Sequence, residues 1–389
     1  MNDLGILSIL VGLHQVVAFL SPWSIVFIAG NIGGEGSIGL VSYWMAIATP
    51  VATLSALPNR NFLLSSNKEF SDSCLYLARL SITAVCGVFF LVVNWGDDFW
   101  FIPVLVFAVK AFELLVDIPL AKFIRQRRIR SIALLWCCRV VVTVGSLLVA
   151  MRFESLVVLI VPMCVGFLFS VMLFYDNAGA WIGRGELLSS LALSVSGFFV
   201  ALESNMARYI LGGNEEMSYL AAYTASAFLV TGLSVAVNVI LQARLTSLSA
   251  FFQSGRTRDA RGMMLRTQFL FSVIWIIVCL VLFGTNGGSY YLSLYKIEFT
   301  DMAQAVFVFT AAAGFVAVAH SVLASGVMAS RQYSRMLKSS IAFVIGASVF
   351  GLLGYSIGGA LTAIWMCLLV QAVHVIYFAL CIRRSKSSI

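Results

Sequence analysis

The chain of 389 residues is 61% hydrophobic and only 11% charged, and its formal net charge is +8 at pH 7. Soluble domains contain about 45–50% apolar and about 25% charged residues, so a soluble fold is excluded. The apolar residues gather into runs of about 20, the length at which a helix crosses the hydrocarbon core of a bilayer. The chain is therefore expected to lie largely within a membrane.

Each apolar run predicts one spanning helix, because a backbone exposed to lipid must satisfy its own hydrogen bonds. The predicted spans lie near residues 5–30, 36–57, 74–94, 99–121, 131–150, 155–175, 188–212, 217–243, 267–285, 301–327, 339–358 and 360–381. Between the eighth and ninth spans, Leu245, Leu248, Phe251 and Phe252 share one helical face and predict a short interfacial helix. The expected fold class is an all-α polytopic membrane protein with about twelve transmembrane helices.

The charges of the connecting loops predict the orientation of the chain. With a cytoplasmic N-terminus, the even-numbered loops and the C-terminal tail hold 19 of the 25 Lys and Arg residues. The odd-numbered loops hold two, and the remaining four lie within spans. Cytoplasmic segments are enriched in Lys and Arg, so both termini are expected in the cytoplasm. The positive net charge is then a consequence of topology and does not indicate a nucleic-acid partner.

Two pairs of similar segments suggest an internal duplication. The second and eighth spans each have a Tyr near their start and end in an arginine, Arg60 and Arg244. The fourth span leads into "RQRRIR" and the tenth into "RQYSR". These matches predict two six-helix lobes, residues 1–182 and 183–389. An even number of spans in each lobe implies a pseudo-two-fold axis along the membrane normal, with the substrate site between the lobes.

Seven ionisable residues fall within the predicted spans, where each costs at least about 2.5–3.5 kcal/mol unless it has a partner or water. They are Arg79, Lys110, Glu113, Asp117, Arg139, Glu203 and Arg208. Spacings of three and four residues place Lys110, Glu113 and Asp117 on one face of the fourth helix. That face is expected to point away from lipid.

Depth along the helices, at about 1.5 Å per residue, predicts two ion pairs. Glu113 reaches the height of Arg139, and Asp117 reaches that of Arg79. These pairs either hold the first lobe together or take part in transport. Lys110 and Glu203 lie nearer the middle of the membrane and are better candidates for a functional role.

No catalytic, metal or cofactor site is indicated by the sequence. His14, His320 and His374 lie on separate spans without an acidic partner at helical spacing, which favours packed or water-facing residues over ligands or proton carriers. The eight cysteines lack the spacing of metal ligands, and there is no nucleophile triad or phosphate-binding glycine loop. We therefore expect a transporter without a cofactor rather than an enzyme.

Three segments of the chain resemble a known family of bacterial membrane proteins. They are "AIATPVATLSALPNRNFLLSS", "KAFELLVDIPLAKFIRQRRIRSIALLWCCR", and "ESNMARYILGG" with the span that follows it. The chain is similar to the Wzx-type polysaccharide and O-antigen flippases of the multidrug/oligosaccharidyl-lipid/polysaccharide exporter superfamily. Lys110, Glu113 and Asp117 match the family pattern K-x-x-E-x-x-x-D, which is followed by an arginine such as Arg139. The segment 205–209 matches N-x-P-R-Y, although alanine replaces the usual proline.

The resemblance implies transport of a polyprenyl-diphosphate-linked oligosaccharide, an O-antigen or capsule repeat unit, from the cytoplasmic to the periplasmic leaflet of a bacterial inner membrane. Alternating access driven by H+ or Na+ is implied, with a glycan polymerase and chain-length proteins as partners. The expected substrate contacts are the cations Arg208, Lys110, Arg60 and Arg244. The expected coupling or structural charges are Glu203, Glu113, Asp117, Arg139 and Arg79. Arg208 lies about one turn from the end of its span, so snorkelling towards the headgroups is the competing role.

Two other functions fit parts of the sequence. A multidrug exporter of the same superfamily would bind cations, and such exporters commonly place an acidic residue in the first span. Residues 5–30 contain none. A membrane-embedded glycan polymerase would need a long periplasmic loop with catalytic residues, and no odd-numbered loop is long enough. The flippase interpretation is preferred, with the exporter as its main alternative.

Overall fold

The structure is a computed structural model that describes residues 3–57, 60–65, 70–94, 101–175, 179–214, 216–330 and 332–384. The extreme ends, whose cytoplasmic location was predicted, and Arg331 of the second basic motif lie outside these residues. Within them the chain is helical, and its β-structure consists of an isolated bridge between Phe70 and Ala180.

Fourteen helices make up the described part of the chain. They are α1 (Asp3–Ser55), α2 (Arg60–Ser65), α3 (Asp72–Val93), α4 (Phe101–Leu115), α5 (Asp117–Arg125), α6 (Ile129–Phe153), α7 (Leu156–Leu173), α8 (Arg184–Gly213), α9 (Met217–Ala243), α10 (Leu245–Gln253), α11 (Thr257–Gly284), α12 (Gly287–Ser293), α13 (Asp301–Ala329) and α14 (Tyr333–Arg384).

The helices account for the twelve predicted spans. In the described residues, nine helices are long and apolar enough to cross a membrane, and two of these, α1 and α14, carry spanning stretches of 47 and 51 residues. Each of those two is long enough for two crossings and is broken near its middle. The consecutive helices α4 and α5 supply the remaining span. The prediction of an all-α polytopic membrane protein with about twelve spans is confirmed.

Glycine pairs break α1 and α14 where the sequence predicted the first and last interhelical turns. Gly34 has φ 62° and ψ −151°, and Gly359 has φ 71° and ψ −158°. This backbone region is essentially restricted to glycine. The second turn is also held by Thr362, whose hydroxyl donates to the Gly358 carbonyl at 3.1 Å. The two breaks share the pattern G-G-x-x-S/T, which ends one helix and starts the next.

The fourth span is interrupted at Val116, between α4 and α5. The backbone N–H of Val116 donates to the carbonyl of Glu113 at 3.3 Å, a tighter turn than that of an α-helix. Pro119 follows in the first turn of α5 and cannot donate a backbone hydrogen bond. The break therefore lies next to the charged face that the sequence predicted.

The segment between the eighth and ninth spans forms the predicted short helix, α10. Leu248 and Phe252 are buried in a hydrophobic cluster with Val322 and Phe378. The ninth span begins ten residues earlier than predicted, at Thr257. Its first turns are amphipathic, with Ala260 buried next to exposed Arg258 and Asp259, and such a pattern forms a helix without being apolar overall.

The chain is organised as two compact units, as a two-lobed protein should be. The first contains Met1–Ile32 and Tyr43–Leu202, and the second contains Gly33–Ser42 and Glu203–Ile389. The division falls within α8, whereas the lobe boundary predicted between residues 182 and 183 precedes that helix. That boundary stays a prediction.

Large apolar side chains cover much of the outer surface of the helices. Examples are Val85 on α3 and Met172 on α7, which are 71% and 75% exposed. So many exposed large apolar side chains are unusual on soluble proteins and are stable in contact with lipid. The surface therefore agrees with the membrane location that the composition predicted.

Candidate functional site

A buried charge network occupies the first unit around Glu113 of α4. Arg139 of α6 forms a close ion pair with this carboxylate, and the Nζ atom of Lys110 lies 3.6 Å from it. The opposite side of the Arg139 guanidinium contacts His14 Nε2 at 2.7 Å, and its Cζ atom lies 5.6 Å from the centre of the Phe167 ring. The predicted pairing of Glu113 with Arg139 is confirmed. One carboxylate thus serves two cations.

His14 brings the first span into this network as a neutral hydrogen-bond acceptor. Its side chain is fully buried. A guanidinium has only donors, so the imidazole nitrogen that faces Arg139 must accept and the other ring nitrogen carries the proton. The sequence left His14 as an isolated packed residue, because its partner lies 125 residues away on another helix.

A second network in the same unit joins Arg60 of α2 to Asp117 of α5. The Nη1 atom of Arg60 lies 3.1 Å from Oδ1 of Asp117. In the amide orientation that satisfies both groups, the Gln15 side-chain oxygen accepts from Arg60 Nη2 at 2.8 Å. Arg79 is almost fully buried and donates to the carbonyl of Leu114, and the charge of Asp117 also acts on it. Asp117 thus lies near Arg79, as predicted, and also forms an ion pair with Arg60.

Arg60 was predicted to contact substrate, and the structure places the carboxylate of Asp117 beside it. The short helix α2 carries it to the start of α5, a tertiary contact that span prediction does not contain. A nearby pair, Asp72 and Lys122 at 3.6 Å, links α3 to α5 beside a cavity of about 30 Å³. Arg244 is exposed at the junction of α9 and α10, where its carbonyl accepts from the Leu248 N–H at 2.9 Å. A substrate role for Arg60 or Arg244 stays a prediction.

Arg208 of α8 is a largely buried cation in the second unit. Its Nη1 atom donates to Oδ1 of Asn205 at 2.6 Å, and its Cζ atom lies 5.8 Å from the centre of the Tyr223 ring. The Nε atom is buried and has no hydrogen-bond partner in the part of the chain that the structure describes. Within that part no carboxylate forms an ion pair with Arg208. The other predicted intramembrane cations interact with a carboxylate or a backbone carbonyl.

Glu203 lies one and a half turns before Arg208 and is bonded to a histidine. Its Oε2 atom is 2.8 Å from Nδ1 of His374 on α14, and both side chains are almost fully buried. The sequence predicted that His374 is a packed or water-facing residue, and its side chain is buried. Spacing along one helix could not identify Glu203 as its partner, because the pair joins two helices. Lys110 is the other candidate near the middle of the membrane. Its partner is Glu113, which lies three residues later on the same helix.

A small cavity in the second unit lies beside these residues. Its volume is about 20 Å³, and its lining includes Ser204, Tyr223, Cys367 and Gln371. Tyr223 is the ring that packs against Arg208, and Ser204 adjoins Glu203 in the sequence. The cavity can hold a water molecule.

The predicted site residues therefore form separate groups. Unit 1 brings together Arg60, Arg79, Lys110, Glu113, Asp117 and Arg139, and unit 2 contains Glu203 and Arg208. The residues that sequence reasoning missed are His14, Gln15, Tyr223, Ser339 and His374. All five are polar side chains within predicted apolar spans, which was the available signal, and their partners required the tertiary structure.

Comparison with known proteins gives a fold but no close relative. No family model and no curated protein matches the chain. Solved structures match over almost its whole length. The eukaryotic MATE transporter AtDTX14 is 13% identical with a TM-score of 0.64, covering 99% of this chain and 98% of that chain. An outward-facing multidrug resistance MATE transporter of the MOP superfamily is 14% identical with a TM-score of 0.56, covering 99% and 96%.

A third solved structure is a MOP superfamily transporter from Pyrococcus furiosus, whose published description states that the reverse polarity of its binding pocket suggests a different function. It is 13% identical with a TM-score of 0.58, covering 99% of this chain and 96% of that chain. At these identities the likeness concerns the fold alone. The chain is a multi-pass membrane protein with the fold of MATE transporters of the MOP superfamily. Membership of the flippase branch stays a prediction.

Proposed function

We propose that this chain is a membrane transporter that moves an anionic lipid-linked oligosaccharide between leaflets by alternating access. The observation that carries the proposal is Arg208, a partly buried cation with a buried Nε atom and without a carboxylate partner in the described structure. A buried charge is costly unless it is paired. A substrate with a diphosphate group would supply the missing negative charge.

The contacts of Arg208 leave one edge of its guanidinium available. Asn205 occupies Nη1, and the Tyr223 ring lies against the cation, so the side chain is held in place. The edge formed by Nε and Nη2 can donate two parallel hydrogen bonds to a phosphate group. Lysine could offer only a point charge at this position. The arrangement favours an oxyanion over a neutral or cationic substrate.

The charges of unit 1 support the same proposal. Four cations, Arg60, Arg79, Lys110 and Arg139, accompany two carboxylates, Glu113 and Asp117. The surplus is positive even when every described ion pair is formed. Drug cations would be repelled by such a surplus, and an anionic headgroup would be attracted to it.

Export of cationic drugs is the second candidate, because one of the structural neighbours is described as a multidrug resistance transporter. The first span separates the two candidates. Its polar residues that contact the charge networks are His14, a buried neutral acceptor, and Gln15, a half-buried amide, rather than a carboxylate. A transporter of the same fold with a reversed pocket polarity has been described, so the fold itself does not require a cationic substrate.

Transport by the purified chain in liposomes tests the proposal. The probe is a fluorescent short-chain polyprenyl-diphosphate disaccharide, whose movement between leaflets is followed by its accessibility to a membrane-impermeant quencher. Arg208→Lys and Arg208→Ala should each reduce transport by about tenfold or more, equivalent to about 1.4 kcal/mol, because lysine cannot form the bidentate contact. Arg266→Ala removes an exposed arginine of unit 2 and is the matched control.

Three results would count against the proposal at matched amounts of inserted protein. Rescue by lysine with a mild alanine phenotype would indicate snorkelling of Arg208 towards headgroups. Movement of the probe at the rate of empty liposomes would exclude the lipid-linked substrate class. Export of ethidium by a chain that does not move the diphosphate lipid would establish the second candidate instead.

A further inference from the structure

The turn between α5 and α6 carries a cluster of cations that the sites described above do not use. Arg127, Arg128 and Arg130 lie within four consecutive residues, and all three side chains are exposed. Among the described residues, no carboxylate forms an ion pair with any of them. The positive charge of this turn is therefore open to an anionic ligand.

The sequence around the turn adds to this charge. Residues 118–153 contain seven Lys and Arg residues and no Asp or Glu. Of the seven, Arg139 is buried in its ion pair with Glu113, and Lys122 lies beside Asp72. The turn is also the start of α6, and the start of a helix carries a partial positive charge. An anion near the turn is thus attracted both by side chains and by the backbone.

Backbone hydrogen bonds hold the arginines in a defined turn. The N–H of Arg127 donates to the carbonyl of Ile124 at 3.2 Å, and the N–H of Arg128 donates to that of Phe123 at 3.0 Å. These two bonds form a Schellman motif, which ends α5. Arg127 has φ 53° and occupies the left-handed position that is usually glycine in this motif. The cations are therefore presented by a short, hydrogen-bonded turn and not by a long loop.

An exposed apolar stripe runs along α6 from Arg130. Leu134, Val141 and Leu148 are 56%, 71% and 62% exposed, and the exposed Cys137 lies between them. They follow Arg130 at steps of three, four or seven residues, which places them on one helical face. The buried residues of α6 lie on the opposite face. The arginine thus stands at one end of a continuous apolar face.

The length of this stripe identifies what covers it. From Arg130 to Leu148 the helix rises about 27 Å, close to the thickness of the hydrocarbon core. A cation at the end of such a stripe lies at the depth of the lipid phosphates, and the apolar residues lie beside the acyl chains. The loop charges predict that this end faces the cytoplasm. A phospholipid combines the phosphate and the hydrocarbon that the two parts of the surface require.

α7 adds apolar surface beside α6. The two helices approach closely where a Cβ atom built on Gly166 would lie 2.4 Å from Cγ2 of Val142. Val165, Phe169 and Met172 are exposed and follow one another at helical spacing. Because α7 runs back along α6, Met172 lies towards the same end of unit 1 as the arginines. Acyl chains at this end therefore meet exposed apolar side chains of both helices.

We propose that Arg127, Arg128 and Arg130 of the α5–α6 turn bind the headgroup of an anionic phospholipid from the cytoplasmic leaflet. Arginine can donate paired hydrogen bonds to phosphate oxygens, and three arginines exceed the single charge of a phosphodiester. The surplus favours a headgroup with a net negative charge, such as that of phosphatidylglycerol, over the zwitterionic headgroup of phosphatidylcholine. This lipid site does not depend on the transport function proposed above.

Occupation of the site acts on both charge networks of unit 1. α5 begins at Asp117, which pairs with Arg60, and α6 carries Arg139, which pairs with Glu113. A ligand at the turn that joins α5 to α6 restrains both helices. A ligand that binds the folded chain and not the unfolded chain also raises its stability. Phosphatidylglycerol is therefore expected to stabilise the protein against heat.

Native mass spectrometry of the delipidated full chain in detergent measures the affinity. The probes are phosphatidylglycerol and phosphatidylcholine with identical acyl chains. The turn variant combines Arg127→Asn, Arg128→Gln and Arg130→Gln, because asparagine tolerates the left-handed conformation and keeps the turn. The affinity for the tightest-binding phosphatidylglycerol should fall about tenfold or more, equivalent to about 1.4 kcal/mol. The affinity for phosphatidylcholine should not change.

A second triple variant is the matched control. It combines Arg335→Gln, Lys338→Gln and Arg383→Gln, which removes three exposed cations from unit 2. This variant should keep the affinity of the parent for the tightest-binding phosphatidylglycerol. Phosphatidylglycerol should also raise the unfolding temperature of the parent and of the control variant, but not that of the turn variant. Equal unfolding temperatures of all three proteins without lipid show that the substitutions leave the fold intact.

Four results would overturn the proposal. Equal affinity of the parent and the turn variant for phosphatidylglycerol would remove the arginines from the site. Equal losses in the two triple variants would indicate attraction by net charge without a site. Displacement of the lipid by an equal concentration of glycerol phosphate would assign the turn to a free phosphate. Tighter binding of the polyprenyl-diphosphate disaccharide than of phosphatidylglycerol at the turn would assign it to the transported lipid.

Discussion

At the scale of single residues, unit 1 shows how charges are retained within apolar spans. Each carboxylate is shared, Glu113 by Arg139 and Lys110, and Asp117 by Arg60 with Arg79 nearby. Sharing lets two acids compensate most of the cost of four cations, because a single buried carboxylate can accept from several donors. Removal of a shared carboxylate is therefore expected to lower the stability of the protein more than removal of one of its two cations.

The pair of Glu113 and Arg139 gives a testable asymmetry. Glu113→Gln strands two cations, whereas Arg139→Gln leaves Lys110 close to the carboxylate. We expect both variants to be less stable, by about 3–5 kcal/mol for Glu113→Gln and by less for Arg139→Gln. The measurement is the loss of monodisperse protein on heating in detergent.

Two further variants make this comparison decisive. Exchange of the two residues should recover only part of the stability, because the swapped carboxylate no longer lies beside Lys110. Asp259→Asn, in the exposed pair with Arg256, is the control and should change stability by less than about 1 kcal/mol. Equal stability of the parent and both single variants would show that the buried pair contributes nothing.

At the scale of secondary structure, the two glycine pairs show how one local pattern sets the length of a span. Without a break, α1 and α14 would each continue as one helix far longer than a bilayer is thick. Gly34 and Gly359 instead adopt a conformation that side chains with a Cβ atom essentially never adopt. A single backbone torsion therefore ends one span and begins the next.

Alanine substitution tests this role of the glycines. Nothing lies within 4 Å of a Cβ atom built on Gly34 or Gly359, so the expected cost of Gly34→Ala and Gly359→Ala is backbone strain, about 1–3 kcal/mol each. Gly262→Ala is the matched control, because Gly262 lies within α11 with equally open space around it. There alanine should stabilise the helix by up to about 1 kcal/mol. Equal thermal stability of Gly34→Ala and Gly262→Ala would contradict the requirement for glycine at the break in α1.

At the scale of the whole molecule, the distribution of cations and the helix count together predict a topology. The basic segments near 125–130 and 256–266 and both termini are expected in the cytoplasm. The charges of the loops carry this prediction of orientation. An even number of spans is consistent with termini on the same side.

Cysteine labelling in intact cells measures this topology. In a background without the eight native cysteines, an impermeant thiol reagent added to the non-cytoplasmic side of the membrane should label positions 154 and 298 but not 127 or 258. All four positions should be labelled once the membrane is permeabilised, which controls for accessibility of the thiols. Labelling of 127 and 258 alone in intact cells would reverse the orientation.

The sequence by itself determined the membrane location, the number and approximate bounds of the spans, and the pairing of Glu113 with Arg139. Apolar length, helical periodicity and depth are properties of each helix alone, and a bilayer converts them directly into position. Even the break at Gly34 was located, because apolar runs of limited length require a turn between them.

The tertiary structure alone decided which polar residues meet. The sequence showed that His14 and His374 have no acidic partner at helical spacing, but spacing along one helix cannot show that Arg139 or Glu203 lies beside them on another. The same packing gave Arg60 a carboxylate and left Arg208 without one in the described residues. Contacts between helices depend on how their faces are rotated and packed, and an apolar span constrains that rotation only weakly.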